Sequence, residues 1–399
     1  MPDQSDERER GGRRTVNVAL VGHGFMGAAH SQAWRTVAHA FDVDPVPRMA
    51  VLCGRDRGNA AAAAARWGWA ASADDWRAVV ADPAVDVVDI CTPSRSHAEI
   101  AAAALAAGKH VLCEKPLANT VAEAARLAGA ARIAAARSGA VALLGFNYRR
   151  VPAVALARGL VEHGRLGRVR HVRARYLQDW LADPHTPLTW RLDAAEAGSG
   201  ALGDIGSHII DLAQYLTGHR ITDVFGCTHT FTTERPGADG TPGPVTVDDA
   251  AVLTARMANG ALATFEVSRA ATGRKNSLRI EIDGTDGALA FDLERLNELE
   301  FLDATAPRGE QGFRTLLATE PDHPYLAAWW PPGHVLGWEH TFTHQARDLL
   351  TAIGQGTGAA PDFTDGLGVQ LVLDAALRSA ASGTWQHVPD TPPDPGSPT

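Results

Sequence analysis

The sequence predicts an α/β chain in two parts: a doubly wound parallel sheet, then a second domain built on a large, mostly antiparallel, open-faced sheet. Three observations predict it. Short apolar strands in the first 150 residues alternate with helical stretches, the order of a parallel sheet covered by helices. After Arg150 the strict alternation stops, and from about Val224 the chain turns to strands, two of them separated by Asn259-Gly260 as a hairpin turn. With 399 residues, the chain is long enough for two cores.

The first strand is Thr15–Val21, a β-branched apolar run. Gly22-His23-Gly24-Phe25-Met26-Gly27 follows at once, and a helix begins near Ala28. Strand, G-x-G-x-x-G and helix in that order form the dinucleotide fingerprint. Gly22 permits the tight turn, Gly24 lets the backbone approach a pyrophosphate, and Gly27 allows close helix–strand packing. The helix N-terminus offers free N–H groups to the phosphates. Phe25 and Met26 lie in the same loop and count with it as cofactor contacts. The second strand, Arg48–Cys53, ends in Gly54-Arg55-Asp56, where a carboxylate would select NAD and an Arg or small residue admits the 2′-phosphate of NADP. Gly54 and Arg55 tilt the expectation mildly to NADP, although Asp56 could reach a ribose hydroxyl. Val85–Cys91 ends in Thr92-Pro93 and leads to a helix carrying His97. Lys109–Cys113 ends in Glu114-Lys115-Pro116, and Ala140–Gly145 ends before Tyr148-Arg149-Arg150. Ligands of such sheets bind outside the carboxyl ends of the strands. Residues 15–149 therefore read as a Rossmann NAD(P)-binding domain, with Thr92, Pro93, His97, Glu114 and Lys115 on the cofactor side.

Residues 150–388 read as a substrate-binding and oligomerisation domain. Val151–His163 is helical in period and Val169–Tyr176 strand-like. From Val224 onward come strands, including Ala251–Met257, Ala261–Val267 and the alternating Leu278–Asp283. The sheet keeps a face after its helices pack, and that face is expected to join a homodimer or homotetramer. The less regular Asp303–Gly337, holding His323 and Tyr325, suits a loop walling a pocket. Helices are expected from Trp338 and from Gly366. Residues 1–14 and 389–399 read as a disordered leader and tail.

Composition narrows the function. Hydrophobic residues make up 45% and charged residues 21%, ordinary for a globular protein. The formal net charge of −9 and the lack of a basic stripe argue against nucleic acid. No apolar run reaches membrane-spanning length. Cys53, Cys91, Cys113 and Cys227 share no metal-ligand spacing, and the first three read as buried hydrophobes in a reducing, cytoplasmic compartment.

The chemistry-bearing stretch runs from Gly198 to Asp211. Asp204, His208 and Asp211 are spaced i, i+4, i+7 and share one helical face. An imidazole between two carboxylates suits acid–base work near neutral pH, while the plainer reading is a surface helix capped by Asp204. Glu339, His340 and His344 have two histidines at i, i+4 but not the H-E-x-x-H order, so no metal is expected. His23 and His30 read as cofactor-side packing or exposed residues.

With Gly22–Gly27, Glu114-Lys115-Pro116 and Asp204/His208 in place and in order, the chain resembles the glucose–fructose oxidoreductase and inositol dehydrogenase (Gfo/Idh/MocA) family. Phe146–Arg150, Tyr176–Trp180, Pro187–Arg191 and Ala197–Ile205 look like its levoglucosan dehydrogenase branch. The resemblance implies an NAD(P)-dependent alcohol–ketone interconversion on a sugar-like ring, with Lys115, Asp204 and His208 as catalytic residues. It also makes Lys115–Pro116 a candidate cis peptide. The branch leads one to expect an acidic residue where Gly54 stands. A sugar pocket needs fixed polar groups and an aromatic wall; Tyr148, Arg149, Gln178, Asp179, Trp190, Arg191, His323 and Tyr325 join Asp204 and His208 as candidates. Two rivals keep the fold: a redox-neutral enzyme cleaving or epimerising a glycoside with tightly held NAD, and a non-catalytic NAD(P) sensor.

Overall fold

The computed structural model describes residues 13–390, so most of the expected leader and tail lies outside the described residues. Two compact units emerge. The first opens with β1 (Thr15–Val21), α1 (Phe25–Ala40), β2 (Val46–Cys53), α2 (Arg57–Trp67), β3 (Ala71–Ala73), α3 (Trp76–Ala81), β4 (Val87–Ile90), α4 (His97–Ala106), β5 (His110–Cys113), α5 (Val121–Ser138) and β6 (Ala142–Leu144). Its six strands lie in the order β3-β2-β1-β4-β5-β6 and pair in parallel. That is the doubly wound order, with the ligand crevice outside the ends of β1 and β4 where the winding reverses. The edge strand β3 has no sequence signature, because three small residues, Ala71-Ser-Ala73, carry no hydrophobic alternation.

The chain does not divide once near residue 150. Residues 337–366, expected in the second domain, belong to the first unit. The cause is a buried stripe on α9 (His340–Gln355): Phe342, Ala346, Leu349, Leu350 and Ile353 recur at helical spacing, and the last four join Val18, Leu20 and Leu52 in one core. Gly354 lies so close to the β2 approach that a Cβ would stand 2.0 Å from the Asp44 carbonyl oxygen.

Under the glycine loop lies a buried charge cluster that ties α1 to β4 and β5. His30 is 1% exposed, which corrects the exposed alternative of its reading and leaves packing as its role. Its Nδ1 stands 2.9 Å from both oxygens of Asp89, and its Nε2 stands 3.1 Å from Oε1 of Glu114. Trp34 Nε1 donates to Asp89 at 2.7 Å. Two carboxylates around one ring require a hydrogen on both nitrogens. Burial pulls the imidazole pKa down, but the charge of Asp89, with Cys91, outweighs it and holds it well above 6.5.

The second unit continues with α6 (Pro152–Glu162), β7 (His171–Leu177), α7 (Ala194–Ala197), α8 (Ser207–Thr217), β8 (Ile221–His229), a small ribbon of β9 (Glu234–Pro236) and β10 (Pro242–Pro244), β11 (Ala250–Met257), β12 (Leu262–Ser268), β13 (Ser277–Asp283), β14 (Gly287–Asp292), β15 (Glu298–Asp303) and β16 (Arg314–Leu317). α10 (Phe363–Ser382) and β17 (Gln386–His387) complete the chain. Nine strands form one sheet, β16-β15-β14-β13-β7-β12-β11-β8-β17. It is antiparallel except where β12 runs parallel to β7. Gly260, at φ 82°, turns the expected hairpin, and Asn259 Oδ1 accepts the Ala261 N–H at 3.0 Å. Alternation sets the two faces. In β7, Val172, Ala174 and Tyr176 are buried, while Arg173 and Arg175 belong to the opposite face with Arg279 and Glu281 of β13.

The His30 cluster makes stability depend on alkaline pH. The folded imidazole holds its proton more tightly than the unfolded one, so its stabilisation is complete below about pH 6.5 and is lost as pH rises through the raised value. His30→Gln should lower unfolding stability by about 3 kcal/mol near pH 6. In urea titrations at increasing pH, the gap to wild type should close. A gap that stays constant would contradict a charged His30.

Candidate active site

Each unit presents its own set of functional groups. In the first, Gly22 sits at φ +105°, and a Cβ there would stand 2.6 Å from the Cys91 carbonyl oxygen. A Cβ on Gly27 would stand 2.2 Å from the Gly22 oxygen, whereas one on Gly24 would meet nothing within 4 Å. The loop is therefore packed from beneath and open above, at the N-terminus of a 16-residue helix with no side-chain cap. That geometry fits a dinucleotide pyrophosphate. Phe25 is largely exposed and stacks on Trp338, with ring centroids 5.4 Å apart. Met26 is half-buried beside it.

At the end of β2, a Cβ on Gly54 would stand 2.2 Å from Cδ2 of His23, so the imidazole fills the space where a longer residue 54 would grow. Asp56 accepts the Asn59 N–H at 2.7 Å and caps α2, which commits the carboxylate expected to reach a ribose. Asp74 pairs with Arg57 at 2.9 Å, and Asp75 caps α3. Arg55 is exposed and takes part in no ion pair among the described residues.

Beyond β4 and β5, His97 is 1% exposed. Its ring nitrogens stand 2.7 Å from the Pro116 carbonyl oxygen and 2.9 Å from that of Thr92. The ring thus clamps two strand ends together. Burial lowers its pKa, against the raising effect of the two carbonyls. Thr92 Oγ1 accepts from Ser96 at 2.8 Å, next to Pro93. The Lys115–Pro116 peptide is cis, as are Asp44–Pro45 and Ala360–Pro361. Glu114 is buried against His30.

In the second unit the glycine-rich stretch becomes a π-helical turn, Leu202–Gly206, running straight into α8. Asp204 is not its cap. Asp248 takes that role, accepting the N–H groups of Gly200 at 2.7 Å and Leu202 at 2.8 Å. Arg269, wholly buried, lies 3.7 Å from Asp204, donates to the Asp248 carbonyl at 3.1 Å and sits over the Trp180 ring at 5.3 Å. Asp248 and Arg269 were invisible in the sequence, since each acts across the sheet from a position with no local motif.

His208, 7% exposed, packs against Tyr148 and Tyr176, at centroid distances of 4.7 and 5.9 Å. Asp204 is the more open of the two, its side chain 28% exposed. Asp211 parts from them. Its carboxylate is gripped by Arg149, Nε to Oδ2 at 2.9 Å and Nη2 to Oδ1 at 2.6 Å, and both residues are buried. Arg149 also lies 4.7 Å over Tyr215. The guanidinium is a structural partner of Asp211.

The remaining candidates separate. The Gln178 amide is engaged at both ends, Nε2 donating to Asn276 at 2.7 Å and Oε1 accepting from Trp180 at 3.0 Å. Asp179 pairs with Lys275 at 2.8 Å, and that bond holds its pKa below the ordinary value. Arg191 lies over the Trp190 ring at 4.5 Å. His323 accepts the Glu320 N–H at 3.2 Å, and Tyr325 takes the left-handed φ of 70°. His344 is fully buried edge-on to Phe41, and His340 accepts the Gly337 N–H at 3.1 Å. Cys53 and Cys113 are buried, Cys91 is half-buried and Cys227 is exposed. Among the described residues no helix is long and apolar enough to cross a membrane.

Comparison with known proteins agrees with this architecture. Residues 16–140 match the oxidoreductase family with the NAD-binding Rossmann fold, and residues 154–290 match the GFO/IDH/MocA C-terminal domain. Levoglucosan dehydrogenase of Pseudarthrobacter phenanthrenivorans is 43% identical over 94% of this chain and 99% of its own length. An oxidoreductase domain protein from Kribbella flavida superposes with a TM-score of 0.92 at 58% identity, over 94% of this chain and 99% of its own. A levoglucosan dehydrogenase in complex with NADH and levoglucosan gives a TM-score of 0.91 at 43% identity, over 94% of this chain and all of its own. The chain belongs to the Gfo/Idh/MocA oxidoreductase family, and residues 16–140 form its NAD-binding Rossmann fold.

Proposed function

We propose that the chain is an NAD(P)-dependent dehydrogenase that interconverts a ring hydroxyl and a ketone on an anhydrosugar, sugar, glycoside or cyclitol. The observation that carries this reading is the pairing of Asp204 and His208 on one bonded turn, walled by Tyr148 and Tyr176. It stands in a chain 43% identical to a levoglucosan dehydrogenase. Gly22, Gly24, Gly27, Gly54, Arg55, Thr92, Pro93 and Glu114 are the residues assigned to hold the cofactor. Bound NAD(P) supplies the hydride acceptor.

The remaining work falls to side chains. His208 takes the proton of the reacting hydroxyl and returns it in the reducing direction. Lys115 donates a hydrogen bond to the same oxygen and stabilises its developing negative charge. Asp204, steadied by Arg269, accepts a hydrogen bond from a neighbouring hydroxyl of the ring. The end of β2 favours NADP: Arg55 is unpaired among the described residues, while Asp56, Asp74 and Asp75 are committed elsewhere. The open face of the nine-stranded sheet, with Val252 and Leu262 exposed, is assigned to a second copy of the chain.

Three measurements test this. A panel of levoglucosan, hexoses, glycosides and inositols, read at about 340 nm with each cofactor, should give steady NAD(P)H formation with at least one sugar; silence across the panel with both cofactors overturns the reading. His208→Ala and Lys115→Met should each cut kcat by about 10²- to 10⁴-fold. Only His208→Ala should also remove the acid limb of the pH–rate profile, and a His208→Ala enzyme that keeps most of its rate moves the proton role to Lys115. Gly54→Asp should shift the NADP/NAD ratio of kcat/KM toward NAD by about tenfold or more, with His23 swinging aside. An unchanged ratio would remove the end of β2 from cofactor choice.

A further inference from the structure

Two amide side chains, Gln178 and Asn276, join Trp180 to the tyrosines beside His208. Trp180 Nε1 donates to Gln178 Oε1 at 3.0 Å, and Gln178 Nε2 donates to Asn276 Oδ1 at 2.7 Å. Tyr176 Oη lies 2.7 Å from the same Asn276 oxygen, and the Tyr148 and Tyr176 oxygens are 2.9 Å apart. Sheet register builds the chain. β7 and β13 pair Leu177 with Ser277, so Gln178 and Asn276, one step beyond each, face one another. Tyr176 is on the helix-covered face and reaches the Tyr148–His208 group.

The direction of every bond in this chain follows from one end. An indole N–H can only donate. It therefore requires the carbonyl end of Gln178, which turns the Gln178 NH₂ toward Asn276. That NH₂ requires the Asn276 carbonyl oxygen, and an oxygen there can only accept from Tyr176. Once Tyr176 gives its single proton to Asn276, its oxygen can only accept from Tyr148. Tyr148 then spends its one proton inside the protein and keeps lone pairs alone for any other partner. Flipping either amide sets two donors against each other, at a cost of about 1–3 kcal/mol for each buried group left unpaired.

We infer that Trp180, through Gln178, Asn276 and Tyr176, fixes Tyr148 as an acceptor-only group beside His208, so that the substrate hydroxyl placed there is recognised as a hydrogen-bond donor. The inference rests on the proposed sugar dehydrogenase reading for its substrate class, but the polarity itself does not. Trp180 and Asn276 are thereby positioning residues that touch no substrate.

Two experiments separate the polarity from the sugar reading. Neutron diffraction from the hydrogen–deuterium-exchanged, sugar-free protein should place the Tyr176 deuteron toward Asn276 and the Tyr148 deuteron toward Tyr176; the reverse arrangement overturns the inference whatever the substrate is. Kinetics then tests recognition, with levoglucosan and the two monodeoxyfluoro analogues that keep the reacting hydroxyl, since fluorine replaces a hydroxyl without donating; the third, fluorinated at the reacting carbon, has no alcohol to oxidise. In wild type one of these two analogues should lose about tenfold or more in kcat/KM relative to the other. Trp180→Phe, which frees both amides to flip, should bring that ratio to within about threefold of unity, and Asn276→Asp, still acceptor-only, should preserve it. A Trp180→Phe enzyme slowed equally on both analogues has lost only structure, and that result counts against the inference. Failure of levoglucosan itself to react counts against the sugar reading and leaves the neutron result to decide the polarity.

Discussion

The second unit's functional groups depend on one carboxylate. Asp248 accepts the N–H groups of Gly200 and Leu202, and its own carbonyl accepts from Ala201 and Arg269. A π-helical turn is a costly opening for a helix, because its first amide groups lack partners. Asp248 supplies them. The approach is so close that a Cβ on Gly200 would stand 1.8 Å from the Asp248 carbonyl oxygen. Burial pushes the Asp248 pKa up, against the two backbone N–H bonds and Arg269. One buried acid thus sets the turn that carries Asp204 and, four residues on, His208.

The first unit solves a like problem in the opposite manner. Its buried charge is an imidazole between two acids, and its task is to lock elements that are remote in sequence. His30 on α1 holds Asp89 of β4 and Glu114 at the end of β5, directly before Lys115. His97 adds a second clamp by joining the carbonyls of Thr92 and Pro116. The segment carrying Lys115 is consequently gripped on both sides by buried histidines.

This division explains what the sequence disclosed. The glycine loop, five of the six parallel strands and the Asn259-Gly260 hairpin were legible because each is a local pattern, spelled out within ten residues. The carboxylate–imidazole spacing of Asp204 and His208 was legible for the same reason. Arg269, Asp248 and Asn276 were not, since their importance comes from cross-sheet register and no window of sequence contains both partners. The protein partners of Arg149 and His97 were illegible for a related reason: a polar residue at a strand end carries no local sign of Asp211 or of a pair of carbonyls. The Gly337–Gly366 segment was placed with the wrong unit because helical periodicity reveals a buried stripe but not the core that receives it.

The hydrogen-bonding inventory of the second unit narrows what it can bind. Asp204 is a carboxylate and accepts only; by the chain that starts at Trp180, Tyr148 accepts only as well. The fixed cation nearest these groups, Arg269, is buried and already shared between Asp204 and two backbone carbonyls. A phosphate or carboxylate placed beside Asp204 would bring like charge to it. A neutral polyol brings hydroxyl protons, one for each acceptor. On the proposed reading His208, whose imidazole can both give and take a proton, is the group suited to change its role during turnover.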